Sequence, residues 1–232
     1  VQKWDTPKNI GFMNLLKIII VGAIAGIFLN YSLSGQKNLT FLALGDSYTI
    51  GEGVPVFDNF PYQAVKLLRQ KGIKINAPEI VAKTGWTTDE LINGIENYQL
   101  LKKYDLVTLL IGVNNQYRGR NVDEYGIQYK KLLDSAVKFA GGKKERVLVL
   151  SIPDWGVTPF AEGKDRSKIA TEIDRYNAVK EKITKEAGVV FISITEGTRE
   201  ASGDISLLAK DKLHPSGKEY KRWAEKIVQL FR

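Results

Sequence analysis

An α/β fold built on a parallel sheet is predicted for this chain of 232 residues, and three observations carry the prediction. From Asn38 onward, strand-like and helix-period segments alternate. That βαβα rhythm places helices on both faces of a parallel sheet. Two of the strand-like runs, "YDLVTLLIG" (104–112) and "RVLVLSI" (146–152), are almost wholly apolar in their central parts, as strands covered on both faces are. No repeat, low-complexity tract or linker interrupts residues 38–232, so they are expected to share one core.

The chain's first distinctive segment is Ile18–Leu29, "IIIVGAIAGIFL", bounded by Lys17 and Asn30. As a helix it would rise about 18 Å, short of the roughly 30 Å hydrocarbon core of a bilayer. The length suits the apolar region of a signal peptide, with Lys17 as its preceding positive charge. Ser32 and Ser34 are small residues two apart, so cleavage is expected after Ser34. Met13 is the only methionine and opens "MNLLK", the expected translation start. Residues 1–34 are therefore expected to be a signal peptide or, left uncleaved, a membrane tether acting through residues 18–29. Both readings make the protein exported, to a periplasm or to the extracellular space.

The remaining elements follow in order. Leu39–Leu44 is strand-like, and Pro61–Gln70 has helical spacing. Glu79–Ala82 is a short strand. Thr87–Tyr98 is a helix opened by a Thr87-x-x-Glu90 capping box. Residues 104–112 form a central strand. Asn121 caps a helix to about Phe139, stopped by Gly141-Gly142. Arg146–Ile152 is a strand, Arg166–Ala187 a helix and "GVVFISI" (188–194) a strand. Ser216–Phe231 is a final helix with a second capping box, Ser216-x-x-Glu219.

Composition narrows the chemistry. The chain has no cysteine, which excludes disulfides, thiolate nucleophiles, Cys-ligated metals and a lipoprotein anchor. With one histidine and no cysteine, a zinc site is not expected. The net charge is +8, but the basic residues are interleaved with Glu and Asp along the helices, and no nucleic-acid motif is present. A mixed solvated surface is the reading, with no nucleic-acid partner. "GEGVPV", from Gly51, lacks the third glycine of a dinucleotide fingerprint, and there is no P-loop. No cofactor is expected.

In such sheets ligands bind beyond the carboxyl ends of the strands. There the sequence places Gly45-Asp46-Ser47, Thr84-Gly85-Trp86, Gly112-Val113-Asn114-Asn115, Pro153-Asp154-Trp155 and Asp211-Lys212-Leu213-His214-Pro215. Taken alone, Ser47 and Asp46 read as a turn, and Gly85 and Asn114 as turn residues. The α/β-hydrolase elbow G-x-S-x-G is absent, because Thr49 stands where its second glycine belongs. Together the groups make an acyl-transfer set. Ser47 is a hydroxyl that needs a base. His214 is the sole candidate base, and Asp211, three residues earlier, can fix its tautomer. Pro215 keeps His214 out of the helical region.

The blocks "GDSYT", a glycine after the second strand, "GVNN" and "DKLHP" resemble, in order, the four sequence blocks of the GDSL or SGNH hydrolases, over Phe41 to about Phe231. The resemblance implies a flavodoxin-like three-layer α/β/α sandwich with strand order 2-1-3-4-5. It implies Ser47 as nucleophile, His214 as base and Asp211 as its partner. It also implies an oxyanion hole from the Ser47 and Gly85 backbone N–H groups and the Asn114 side chain. Asn115 departs from the aspartate often found there, a position of structural support.

The implied activity is hydrolysis of a carboxylic ester of a lipid, a lysophospholipid or an O-acetylated carbohydrate, through an acyl-enzyme. Two alternatives use the same pocket: an envelope protein that binds a glycan or lipid without turnover, and an acyltransferase that passes the acyl group to an alcohol. Trp86, Tyr117, Arg118 and Trp155, with Phe160, are the expected substrate contacts. The loops Pro153–Arg166 and Gln116–Asn121 are expected to shape the acyl and leaving-group sites.

Overall fold

The computed structural model describes residues 37–231. The expected signal segment and Met13 lie outside the described residues.

Five strands form one parallel sheet: β1 (Phe41–Asp46), β2 (Glu79–Lys83), β3 (Leu106–Leu110), β4 (Val147–Leu150) and β5 (Val190–Ile192). Their spatial order is 2-1-3-4-5, as the family resemblance implies. Every residue of β1, β3 and β4 is buried, which is why these runs show no polar alternation. The edge strand β5 pairs with β4 alone, over three residues. The apolar run at 188–194 is therefore longer than the strand it supplies.

The direction of travel across the sheet reverses after β2. Right-handed crossovers then put the helix between β1 and β2, α2 (Phe60–Gln70), on one face. They put α3 (Thr88–Glu96), α5 (Val122–Phe139) and α6 (Arg166–Glu186) on the other. Contacts agree: α5 packs on α3 and α6, while α2 packs on the last helix, α8 (Gly217–Leu230). Phe60, Tyr220 and Trp223 fill the α2–α8 seam, with the Tyr220 and Trp223 rings 5.1 Å apart and edge to face. The reversal leaves a crevice between the ends of β1 and β3, where open α/β sheets bind ligands.

Helix starts follow the local chemistry. The Asn59 side chain accepts from the Tyr62 N–H at 2.9 Å, so α2 begins at Phe60, one residue before the expected Pro61. Asn121 caps α5 through the Asp123 N–H at 2.7 Å. The Glu90 carboxylate reaches back to the Thr87 N–H at 2.8 Å, the expected capping box. The second expected box does not form. The Ser216 hydroxyl donates to the Ser206 carbonyl at 2.7 Å, and buried Glu219 accepts the Trp223 indole N–H at 2.8 Å. A buried indole donor without an acceptor would be costly, and that demand outweighs a cap beside solvent.

Three short α-helices lie between these elements: α1 (Ser47–Ile50), α4 (Val113–Tyr117) and α7 (Thr195–Arg199). The first two carry the site. Between β1 and α1, Gly45 has no room for a side chain: a Cβ there would lie 2.1 Å from the Thr49 Oγ1 and 2.4 Å from the Leu110 carbonyl. Gly45→Ala is therefore expected to destabilise the fold by about 1–3 kcal/mol or more, as overpacking does. A thermal melt reads this directly, and an unchanged Tm would refute the contact.

Candidate active site

β1 ends at Asp46, whose side chain caps the following turn by accepting the Tyr48 N–H at 3.0 Å. Ser47 is then the first residue of α1, where the backbone N–H has no intrahelical acceptor. The helix lasts one turn because Gly51 stops it in the left-handed region at φ 82°. Gly53, also left-handed at φ 79°, passes close to Asp211: a Cβ there would lie 3.0 Å from the Asp211 Oδ2. The two glycines of "GEG" thus have structural work that accounts for them without any phosphate.

Opposite Ser47 stands the loop that carries His214. It is anchored at both ends by backbone bonds, Ala209 N–H to the His214 carbonyl and Ser216 N–H to the Leu207 carbonyl, each 2.7 Å. Lys212 is the only non-glycine at positive φ (59°) among the described residues. This sparsely populated conformation curls the loop until the Asp211 Oδ1 accepts the N–H groups of Leu213 and His214, each at 3.0 Å. The other oxygen, Oδ2, lies 2.6 Å from the His214 Nδ1. On the far side of the ring, Nε2 lies 3.0 Å from the Ser47 Oγ.

The line Asp211–His214–Ser47 is therefore continuous. Partial burial alone would raise the Asp211 carboxyl. The bonds from the His214 side chain and the two backbone N–H groups outweigh it and hold the group below its usual range. An ionised Asp211 accepts the Nδ1 hydrogen, which leaves the Nε2 lone pair facing the Ser47 hydroxyl. The Tyr48 ring packs 4.9 Å from the imidazole and limits its movement. Ser47 and His214 are almost completely buried, so water competes little with their hydrogen bond.

The other two strand ends supply candidate donors. β1 and β2 end together at the pair Asp46↔Lys83; Ser47 follows one residue beyond that end, and Gly85 (φ 83°) stands in the turn two residues beyond it. After β3, Asn114 donates its amide to the Trp86 carbonyl at 3.0 Å. An amide NH2 has two hydrogens, so this bond orients the group and leaves its second hydrogen free. Asn115 is buried and tied to Thr88, accepting from its N–H at 3.1 Å and donating to its Oγ1 at 2.8 Å. It joins α4 to the start of α3, the supporting position the resemblance assigns it.

Beside Ser47, Asn114 and His214 lies a cavity of about 130 Å³, with the rings of Tyr117, Trp155 and Phe160 among its apolar lining. Tyr117 and Trp155 meet edge to face at 5.3 Å, and Phe160 lies 6.3 and 6.0 Å from them. The Trp155 indole N–H donates to the Gln116 Oε1 at 2.7 Å, and the Gln116 Nε2 donates to Glu172 at 2.8 Å, which fixes the indole plane. Both loops named from the sequence contribute to this wall.

Two expected substrate contacts do not line the cavity. The Trp86 ring packs on α3 so tightly that a Cβ on Gly94 would lie 2.3 Å from it; Trp86 meets the site through its carbonyl instead. Arg118 donates to the Gly85 carbonyl at 2.6 Å and pairs with Glu90 at 3.3 Å. An arginine held by a carbonyl and a carboxylate braces the Gly85 turn. The polar group after β4 is likewise occupied: buried Asp154 accepts from the Gly156 N–H and the Arg199 Nε, each at 2.9 Å.

Sequence reasoning missed Tyr48, Val113 and Leu213, which also line the cavity. Each is a chain neighbour of a named residue, and that adjacency was the available signal. Among the described residues no cluster of three metal-ligating side chains occurs.

A family model described as the GDSL-like lipase/acylhydrolase family matches residues 43–222. No curated protein matches the chain by sequence. Solved structures do match in fold. TesA superposes with a TM-score of 0.65 at 18% identity, covering 83% of this chain and 98% of that one. Axe2, an acetylxylan esterase from Geobacillus stearothermophilus, gives 0.64 at 19% identity, covering 83% and 94%. A lipase/acylhydrolase from Enterococcus faecalis gives 0.61 at 19% identity, covering 82% and 94%.

Proposed function

The chain belongs to the GDSL-like lipase/acylhydrolase family and is an ester hydrolase, and from that premise we propose that Ser47 is its nucleophile, His214 its base and Asp211 the residue that orients the base. One observation carries the reading: the unbroken hydrogen-bonded line from the Asp211 Oδ2 through His214 to the Ser47 Oγ, with distances of 2.6 and 3.0 Å.

The hydrogen-bonded line supports these steps. The Ser47 Oγ attacks the ester carbonyl carbon while its proton passes to the His214 Nε2. The carbonyl oxygen becomes an oxyanion, held by the Ser47 and Gly85 N–H groups and the free hydrogen of the Asn114 amide. The imidazolium then gives its proton to the leaving alcohol as the carbon–oxygen bond breaks. Water attacks the acyl-enzyme, His214 takes its proton, and the acid departs as that proton returns to the Ser47 Oγ. Asn114→Ala is expected to lower kcat by about 10²–10³-fold, the usual loss for one oxyanion donor. Steady-state rates on p-nitrophenyl acetate measure it, and a loss confined to KM would remove Asn114 from the oxyanion hole.

We further propose that the acyl group is short. The cavity beside Ser47, about 130 Å³, is well below the roughly 300–1,000 Å³ of drug-sized ligand sites. Each methylene that finds apolar cover adds about 0.8 kcal/mol. On p-nitrophenyl esters kcat/KM is therefore expected to rise from acetate to butyrate and then to fall. A continued rise to the palmitate would show that a long chain is accommodated and would refute this assignment. Export, by way of Ile18–Leu29, is proposed from the sequence; fractionation of expressing cells tests it.

A further inference from the structure

Lys180 is a fully buried lysine in the middle of α6, on the face that also buries Ile169, Ile173, Tyr176 and Thr184. Its Nζ donates to the Ile111 carbonyl at 3.2 Å and lies 5.6 Å from the centre of the Tyr129 ring. The Tyr125 hydroxyl reaches the same carbonyl at 3.4 Å. Ile111 directly follows β3 and precedes Gly112, whose φ of 126° opens the turn into α4. A Cβ on Gly112 would lie 2.7 Å from the Tyr125 ring, so this turn is packed hard against α5. Asn114 lies three residues beyond Ile111.

The second half of the arrangement lies across the strand pair. The register Gly45↔Leu110 sets Asp46 beside Ile111. Asp46 is completely buried, and only its Oδ1 is engaged, by the Tyr48 N–H; its Oδ2 has no hydrogen-bond partner among the described residues. Burial drives the Asp46 carboxyl up to about 7, against the pull of its bond from Tyr48 and of the nearby Lys180 charge. Burial drives the Lys180 ammonium down to about 7, against the pull of Asp46. A buried acid and a buried base therefore lie near each other beneath the turns that carry Ser47 and Asn114, with no hydrogen bond or ion pair between them among the described residues. A lone buried charge of this kind would be strongly unfavourable.

We propose that Lys180 is a positioning residue for the reaction: bonded to the Ile111 carbonyl, which the strand register sets beside buried Asp46, it couples the turn carrying Asn114 to the turn carrying Ser47 from within the core, and so keeps the oxyanion donor in register with the nucleophile. The proposal rests on the roles given to Ser47 and Asn114 above. Lys180 touches neither substrate nor reacting atoms. Its effect passes through the backbone of residues 111–114, where a displacement of about 1 Å can cost up to 10²-fold in rate.

The test is a mutant cycle on the full chain with p-nitrophenyl acetate. Lys180→Met keeps the length and apolar stem of the side chain and removes the charge and the donor. It is expected to lower kcat by about 10–100-fold with KM unchanged, and to cause no further loss when added to Asn114→Ala. A purely structural lysine would depress both backgrounds by the same factor, and that result overturns the proposal, as does a wild-type kcat. If Lys180→Met does not fold, Asp46→Asn/Lys180→Met removes both charges together and carries the same comparison. A wild-type rate in that double variant also overturns the proposal. Fluorophosphonate labelling of the wild-type protein, lost in Ser47→Ala, separates the two levels: its failure removes the nucleophile assignment, while normal labelling with wild-type Lys180 variants removes only the role of Lys180.

Discussion

Ser47→Ala is expected to lower kcat on p-nitrophenyl acetate by about 10⁶-fold, the scale seen when a triad nucleophile is removed. Among the described residues the Ser47 hydroxyl has one hydrogen bond, to the His214 Nε2 at 3.0 Å. Its loss leaves the imidazole, Asp211 and every proposed oxyanion donor in place, including the Ser47 backbone N–H. A residual acceleration of about 10³–10⁴ over water is therefore expected to survive. Tm should be nearly unchanged, because a small hydroxyl is deleted without altering the backbone or leaving a large cavity. Intact mass after fluorophosphonate treatment supplies the second readout: one adduct on the wild type and none on the variant. Wild-type turnover in Ser47→Ala would end the hydrolytic reading of this site.

Asp211→Asn should follow with a loss of about 10⁴-fold in kcat, through the tautomer and not through the loop. The two Asp211 oxygens have separate tasks. Oδ1 accepts the Leu213 and His214 N–H groups, and Oδ2 faces the His214 Nδ1. An asparagine can keep its oxygen on the two backbone donors and so preserve the curled loop. Its NH2 then points at Nδ1 and favours the tautomer with hydrogen on Nε2, which cannot accept the Ser47 proton. Thermal melts of the two proteins check that the loop is intact. They also carry a pH signature. The Asp211 carboxyl is depressed below its ordinary value of 3.8 in the fold. The stability it contributes is complete above that value and is lost as pH falls through the lower folded value. The Tm difference between wild type and Asp211→Asn should thus narrow only below about pH 3.8. Near-wild-type turnover in the variant would show that Asp211 does not set the tautomer.

Much of this was legible from residue order. The apolar run at 104–112 reads as a strand from the middle of a parallel sheet, and β3 is the central strand of the five; the run at 146–152 supplies its neighbour β4. Thr87 and Asn121 begin helices because a side-chain oxygen or a capping carboxylate meets free N–H groups within four residues. Such signals are local, and local signals survive in a sequence. Ser216-x-x-Glu219 had the same spacing and failed, because Glu219 faces a buried indole. The competing partner comes from the packed face of α8 and is invisible in the spacing. Trp86 and Arg118 stay out of the cavity lining for a similar reason: each has a protein partner, the Gly94 backbone for one and the Gly85 carbonyl with Glu90 for the other.

Lys180 shows the limit most clearly. Positions 169, 173, 176, 180 and 184 share one helix face, and that face is buried. The spacing was readable, but a lysine within it reads as solvated until an acceptor is known, and its acceptor is a backbone carbonyl 69 positions away.

The order of strands and helices, and the presence of one hydroxyl, one imidazole and one carboxylate at strand ends, were already contained in the chain, because hydrophobic period and turn chemistry act over a few residues. Whether those groups meet depended on the reversal of the sheet beside β1, which brings together residues 167 positions apart. The size of the cavity and the orientation of Asn114 depended on it too. Those are distances between elements, set by packing, and no local pattern encodes them.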